Sequence, residues 1–413
     1  MGGAYAAPVA TDVESTAPTA DEVDRPVRLR LLLLGFLGLA VVLTAVVSLS
    51  GAHLGEGEAE RSSSRHLDAV LGPWLQYDVS WYAEIAEHGY DAAQVALYDE
   101  HRESAAAFFP GYPLLVRATT PLFSETRLAE IGVTLAAGAG CVALLLAWCR
   151  RRMTARASEL AVVAMFVFPY GYYLVAAPYS DALFIAATVG AFLLVERDRM
   201  LLGALAGAVA TATRPVGFAV VLALVLLVLE RRGAWHWSAR PRLDLRRLRR
   251  GDPLVLLSAV GLGAFMAFLW VRFGNPFAYS VAQRGWDQAL DLRTILKHRY
   301  LETVFHDNRP GYVIRLTAQA VLALVFLAAV PAVWRRFGAA YGVYTLIVLA
   351  VPTIGSATFT SVGRYVLAAF PVFALYGEWL ASRTARFAGL MIGASCFVLL
   401  VVASFYGRGY LIA

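Results

Sequence analysis

The sequence predicts an all-α polytopic membrane protein, a bundle of about eleven transmembrane helices. Three observations carry that expectation. Of 413 residues, 59% are hydrophobic and only 16% are charged, against roughly a quarter charged in an ordinary soluble domain. Apolar runs of spanning length, or somewhat shorter, recur along the chain. Arginines gather in the loops between alternate runs, the pattern left by a chain threaded back and forth through a bilayer.

Residues 1–24 are rich in Ala, Thr, Asp and Glu without an apolar period, and read as a disordered cytoplasmic tail. Arg25, Arg28 and Arg30 precede the first apolar run, 31–50. At ~20 residues it is long enough to cross ~30 Å of hydrocarbon, and without a convincing cleavage site it reads as a retained span. Further runs lie at 129–149, 158–177, 180–196, 200–212, 214–230, 253–273, 312–333, 339–356, 364–381 and 386–406. The pair 200–212 and 214–230 reads equally as two short helices or one broken one. Residues 25–413 then form one transmembrane domain with a first outer loop at 51–128, a basic cytoplasmic loop at 231–252 and a second large outer loop at 274–311. No internal repeat is evident, which disfavours inverted-repeat transporters.

The basic residues orient the bundle. With residue 1 in the cytoplasm, the cytoplasmic segments collect 21 of the 36 basic residues, including the "RRLRR" run at 246–250. The 231–252 loop suits anionic lipid headgroups, and a solvated charge run accounts for it equally well. Lys297 is the single lysine, a bias that points to a GC-rich bacterial genome and a bacterial plasma membrane.

A net charge of +6, scattered along the chain, gives no footprint for nucleic acid. Cys141, Cys149 and Cys396 all fall inside apolar runs and read as packing residues. There is no CxxC or HExxH pattern, so no metal site is expected.

In this orientation every polar segment that suggests chemistry falls on the outer side. In "GPWLQYDVSWYAEIAEHGY", residues 72–90, helical spacing would place Trp74, Asp78, Trp81, Ile85 and His88 on one stripe. A carboxylate between two indoles is poorly solvated, and desolvation would raise its pKa toward that of a general base. The plainer alternative is that Asp78 caps a helix or pairs with an arginine. Trp74, Trp81 and Tyr82 suit an interfacial belt as well as a sugar face. "FFPGYPLLVR", 108–117, is too short to span and reads as an interfacial or re-entrant segment. "APYSDALFIA" sets Tyr179 and Asp181 at the mouth of a span, where Asp181 also suits a helix N-terminus. "ATRPVGF" and "SVGRYVLAAFP" place Arg214 and Arg364, the latter followed by Tyr365, at the lipid boundary. There they suit a lipid-borne phosphate, or snorkel to headgroups.

These pieces, in this order, resemble the PIG-V-type mannosyltransferases, the family of the second GPI mannosyltransferase, and its bacterial members in particular. The matching segments are "YDVSWYAEIAEHGY", "FFPGYPLL", "PYSDALF", "TRPVGF" and "GRYVLAAFPVF". Two departures stand out: Tyr77 precedes the acid where the family has Trp, and Asp181 replaces the usual Glu. The resemblance implies a GT-C-like bundle whose first extracytoplasmic loop carries amphipathic helices. It implies an inverting transferase moving mannose from a polyprenyl phosphate carrier to an acceptor hydroxyl on a glycolipid, glycan or protein. In that scheme Asp78 is the base, Arg214 and Arg364 meet the phosphate, and Trp81, Tyr82, His88, Tyr179, Asp181 and Tyr365 surround the substrates, with no cofactor. Two other readings remain: a lipid or sugar transporter or flippase, which needs ionisable groups at mid-membrane, and a scaffold, which needs Trp74 and Trp81 open to solvent.

Overall fold

A computed structural model describes residues 29–54, 70–90, 103–236, 242–289 and 291–410. The expected tail at 1–24 and parts of the first outer loop and of the basic loop lie outside them. The fold is all-α apart from a two-residue antiparallel ladder in the basic loop, with Trp235 opposite Leu243 and His236 opposite Arg242.

Every apolar run of the sequence is found as helix. Five are long and apolar enough to cross a membrane: α1 (Leu29–Ala52 within Leu29–Leu54), α4 (Thr126–Cys149), the 3-10 stretch Asp252–Ala259 continued as α9 (Val260–Phe273), α11 (Pro310–Phe337) and α14 (Ala385–Gly407). The other six are shorter or interrupted. The run expected at 158–177 divides into α5 (Ala155–Phe166) and a single turn, Tyr172–Val175. The run at 364–381 divides into the turn Val362–Tyr365, a 3-10 turn Val366–Ala368 and α13 (Phe370–Ala381). α6 (Asp181–Glu196), α7 (Met200–Thr213), α8 (Phe218–Arg231) and α12 (Ala339–Gly355) are single short helices, and α10 (His298–His306) lies in the loop before α11. Irregular backbone at membrane depth is tolerated where protein covers it, and the turn Tyr172–Val175 is wholly buried.

The break between α7 and α8 follows from one dipeptide. Pro215 forces the residue before it out of the helical region, and Arg214 is extended at φ −148°, ψ 147°. The segment 200–230 is therefore two helices with an arginine at their junction.

Helix pairs close on small residues, as expected where lipid supplies no hydrophobic drive between helices. At Gly407 a Cβ would stand 2.5 Å from the Val47 carbonyl oxygen, so α14 lies directly on α1. At Gly111 a Cβ would stand 2.8 Å from the Ala212 carbonyl oxygen, which draws α3 (Gly111–Phe123) onto the end of α7 beside Arg214.

The two ends of the bundle differ in chemistry. One end is pinned by ion pairs among its arginines: Arg152 with Glu196, Arg232 with Asp198 and Asp252, and Arg336 with Glu378. Glu230 accepts from the backbone N–H of Ala339 and Ala340 and so caps α12. The opposite end gathers the polar segments at 72–82, 105–109, 177–181, 213–218, 279–289 and 351–365 around one cleft.

Candidate active site at the cleft end

The cleft is organised by α2 (Val79–His88), and its entry is not the continuous helix the spacing suggested. Gly72–Trp74 is a 3-10 turn, and Tyr77 adopts a left-handed conformation at φ 58°. That rare geometry for a non-glycine residue is held by the Tyr77 hydroxyl, which donates to the Gly409 carbonyl at 2.5 Å. Burial pushes that hydroxyl up to about 12, so it stays a donor. The turn rotates Trp74 off the expected stripe and into the core against Tyr172 and Tyr406. Trp74 is 1% exposed, which removes the open aromatic stripe a scaffold would need.

Asp78 occupies the N-cap position of α2, yet its side chain makes no cap bond. It reaches across the cleft, where Arg364 Nη1 donates to its Oδ2 at 2.8 Å. The expectation of a carboxylate lodged between two indoles is corrected: its neighbour is a guanidinium, because the turn at Tyr77 re-aims it. Two bonds hold the entry of α2 to the 177–181 segment. Tyr179 donates its hydroxyl to the Gln76 carbonyl at 3.3 Å, and the Tyr82 hydroxyl shares a hydrogen bond with Ser180 Oγ at 3.1 Å. Burial, reinforced by the Asp78 charge, pushes the Tyr82 hydroxyl well above its ordinary pKa.

Asp181 begins α6 but is spent on arginine rather than on capping. Its Oδ1 accepts from Arg214 Nη1, and its Oδ2 lies 3.8 Å from Arg364 Nε. The four charges therefore alternate in a chain, Asp78, Arg364, Asp181, Arg214. Asp181 is 1% exposed and both arginines 8%, so neither guanidinium snorkels to a headgroup. Tyr365 lies between the arginines, its ring centroid 5.1 Å from the Arg214 guanidinium and 5.2 Å from that of Arg364. Tyr179 and Tyr173 flank Arg364 at 5.0 and 5.5 Å. Arg364 is presented by the turn Val362–Tyr365, entered through Ser361 at φ 68° and anchored where Gly363 N–H donates to Gln319 Oε1 at 3.2 Å.

Two chambers meet at the Asp78–Arg364 pair, which lines both together with Trp286, Gln288 and Ser361. One, of about 510 Å³, runs along Phe109, Val216, Phe218, Val351 and Pro352 and contains Arg214. The other, of about 680 Å³, is edged by Ser80, Ser356, Thr358 and Thr360 and contains Arg299 and Arg315. Between them stands an aromatic wall: Trp81 stacks on Phe108 at 5.9 Å and meets Trp286 edge-on at 6.0 Å. The loop carrying Trp286 is sewn to the end of α12, with Ala289 N–H donating to the Gly355 carbonyl and Ala357 N–H to the Asp287 carbonyl. Gln288 donates to the Tyr365 hydroxyl at 3.0 Å.

Asp78, Trp81, Tyr82, Tyr179, Asp181, Arg214, Arg364 and Tyr365 are thus brought together. His88 is not. Its side chain is 64% exposed, pairs with Glu84 at 3.4 Å on the outer surface of α2, and lines neither chamber. Tyr173, Gln288 and Arg315 were missed from sequence; an arginine in the second turn of an otherwise apolar helix was the available signal for the last. Among the described residues, no three His, Cys, Asp or Glu side chains cluster as metal ligands would.

Fold and site together define the class: a membrane-spanning helical protein with an ion-paired cleft at one end of its bundle. A scan against family models and a search of curated proteins find no match for this chain. Among solved structures it is similar to ArnT from Cupriavidus metallidurans bound to undecaprenyl phosphate, at 18% identity and a TM-score of 0.48, over 88% of this chain and 63% of that one. It is also similar to the oligosaccharyltransferase of Archaeoglobus fulgidus in the apo form, at 14% identity and a TM-score of 0.47, over 90% of this chain. The chain spans only 56% of the length of that second structure.

Proposed function

We propose that this chain is an integral-membrane glycosyltransferase of the GT-C kind, transferring a mannosyl unit with inversion from a polyprenyl phosphate to an acceptor hydroxyl. The N-terminus is then cytoplasmic and the cleft faces the extracytoplasmic side of a bacterial plasma membrane. One observation carries the reading: a carboxylate and a guanidinium, paired, stand where an apolar-walled chamber opens into a polar one. A lipid-linked sugar needs the first kind of space for its carrier and the second for the alcohol that attacks it.

In this scheme the donor phosphate enters beside Arg214 and draws Arg364 toward itself. A guanidinium shared between Asp78 and an arriving phosphate releases the carboxylate when the phosphate binds. Asp78 then accepts the proton of the acceptor hydroxyl as its oxygen bonds to the anomeric carbon. The bond from that carbon to the phosphate oxygen breaks on the opposite face, and its electron pair leaves with the lipid phosphate. Arg364 and Arg214 hold the charge that develops there. Asp181 keeps both arginines in place, and the wall of Trp81, Phe108 and Trp286 offers flat faces to the sugar.

The test is transfer from a labelled polyprenyl phosphate mannose by protein reconstituted in vesicles. Formation of a new glycoside by wild type supports the proposal. Movement of the labelled lipid across the bilayer without any glycoside would favour a carrier instead.

A further inference from the structure

Arg315, in the second turn of α11, has no task in the transfer scheme. The residue lines the polar chamber with Tyr77, Tyr312 and Arg364 and does not line the apolar-walled one. Its guanidinium lies 4.9 Å from the centroid of the Tyr312 ring, and its other electrostatic neighbours are Tyr77, Tyr170 and the cation Arg309. Among the described residues no carboxylate forms an ion pair with it, and its Nε is shielded from solvent without a hydrogen-bond acceptor. Arg214, Arg299 and Arg364, which line the same two chambers, each hold a carboxylate. A partly buried guanidinium left without an anion is unfavourable, and at membrane depth such a group is usually paired or functional. Its planar fork fits phosphate or carboxylate oxygens. The same chamber is lined by Ser356, Thr358, Thr360, Trp81 and Trp286, residues that suit sugar hydroxyls and a sugar face, and by the acids Asp78, Asp287 and Glu103, of which the first two are held by Arg364 and Arg299.

We propose that the polar chamber receives an acceptor bearing an anionic group, phosphate or carboxylate, and that Arg315 holds that anion. Calling the ligand the acceptor rests on the transferase reading; anion binding at Arg315 does not.

The experiment uses the full chain in nanodiscs of phosphatidylcholine, with glucose 6-phosphate, glucose and undecaprenyl phosphate as probes and tryptophan fluorescence as readout. Wild type should bind the hexose phosphate saturably and more tightly than glucose. Arg315→Gln should weaken the hexose phosphate by about tenfold or more, the worth of one charge-assisted contact, and Arg315→Lys by less. Undecaprenyl phosphate should bind the Gln variant as it binds wild type, which also reports an intact fold. In phosphatidylglycerol nanodiscs, displacement of the hexose phosphate would identify a lipid headgroup as the anion's source; unchanged binding would assign it to a soluble or glycan-borne group. No hexose phosphate binding by wild type, or equal binding by Arg315→Gln, overturns the inference. So does loss of undecaprenyl phosphate from that variant when its thermal unfolding and its Arg315→Lys counterpart match wild type, which would move Arg315 to the donor and leave the transferase reading intact. Conversely, Arg315-dependent anion binding by a chain that transfers no sugar would sink the transferase reading and keep the anion site.

Discussion

Arg364 and Asp78 stand 286 residues apart in the chain and 2.8 Å apart in space. The arginine touches a second carboxylate, Asp181, on its other edge. A buried guanidinium set between two acids fixes the relative position of three segments: the entry of α2, the start of α6 and the turn before α13. Removing the cation strands Asp78 and leaves Asp181 with Arg214 alone, whereas Asp78→Asn leaves Arg364 with Asp181. Arg364→Met is therefore expected to cost ~3–5 kcal/mol, the usual penalty for breaking a buried pair from one side, and Asp78→Asn distinctly less. Thermal unfolding in detergent checks the order; an Asp78→Asn variant less stable than Arg364→Met would contradict it.

Asp181 and Arg214 form the most enclosed pair of the chain of charges. Their coupling in a double-mutant cycle of Asp181→Asn and Arg214→Gln should fall at ~1–3 kcal/mol. Arg214→Lys should restore little of it, because a lysine has no planar face to lay on Tyr365. Additive effects of the two single changes would show that the contact carries no energy.

The aromatic wall makes a kinetic prediction. Trp286→Ala removes one partner from both Trp81 and Phe108 and opens the boundary between the chambers. Each lost ring pair is worth ~0.5–1.5 kcal/mol, so sugar transfer should weaken roughly tenfold in kcat/KM, mainly through KM. His88→Ala, on the outer surface of α2, should leave both activity and stability within ~0.5 kcal/mol of wild type. A large loss of transfer in the histidine variant would return that residue to the site.

Lys297 supplies the pH dependence. Its ammonium donates to the carbonyls of Thr353, Ile354 and Ser356 and ties the loop 274–311 to the end of α12. Burial pushes its pKa down from 10.5 to about 8. Between those values the unfolded chain keeps a proton the folded chain has released, so this residue's contribution to stability rises with pH across that window. The melting temperature of wild type relative to Lys297→Gln should therefore increase from about pH 7 to about pH 10.5. A relative decrease would mean that the charged form, not the neutral one, is favoured by the fold.

Much of this was legible in the chain itself. Apolar runs, arginine bias and the break at Arg214-Pro215 are local properties, and the helices follow them closely. The convergence of Asp78, Tyr179, Asp181, Arg214 and Arg364 on one end was readable because alternate loops of a threaded bundle share a side. What escaped the sequence depends on single backbone torsions and on distant pairing. The stripe from Trp74 to His88 assumed unbroken helix, and the left-handed Tyr77 breaks it, burying Trp74 and aiming Asp78 at an arginine. Neither arginine's partner could be read from spacing, because Asp181 looks like a helix cap in sequence and is an ion-pair centre in space. Arg315 was hidden by its place inside an apolar run, where composition alone made it look like the end of a span.

The most direct measurement is the rate of sugar transfer by Asp78→Asn in vesicles, with undecaprenyl phosphate binding as the control for an intact cleft. If Asp78 takes the proton of the acceptor, transfer should fall by ~10²–10⁴-fold while carrier binding persists. Turnover within a few-fold of wild type would mean that the acid paired with Arg364 only holds the helices in place.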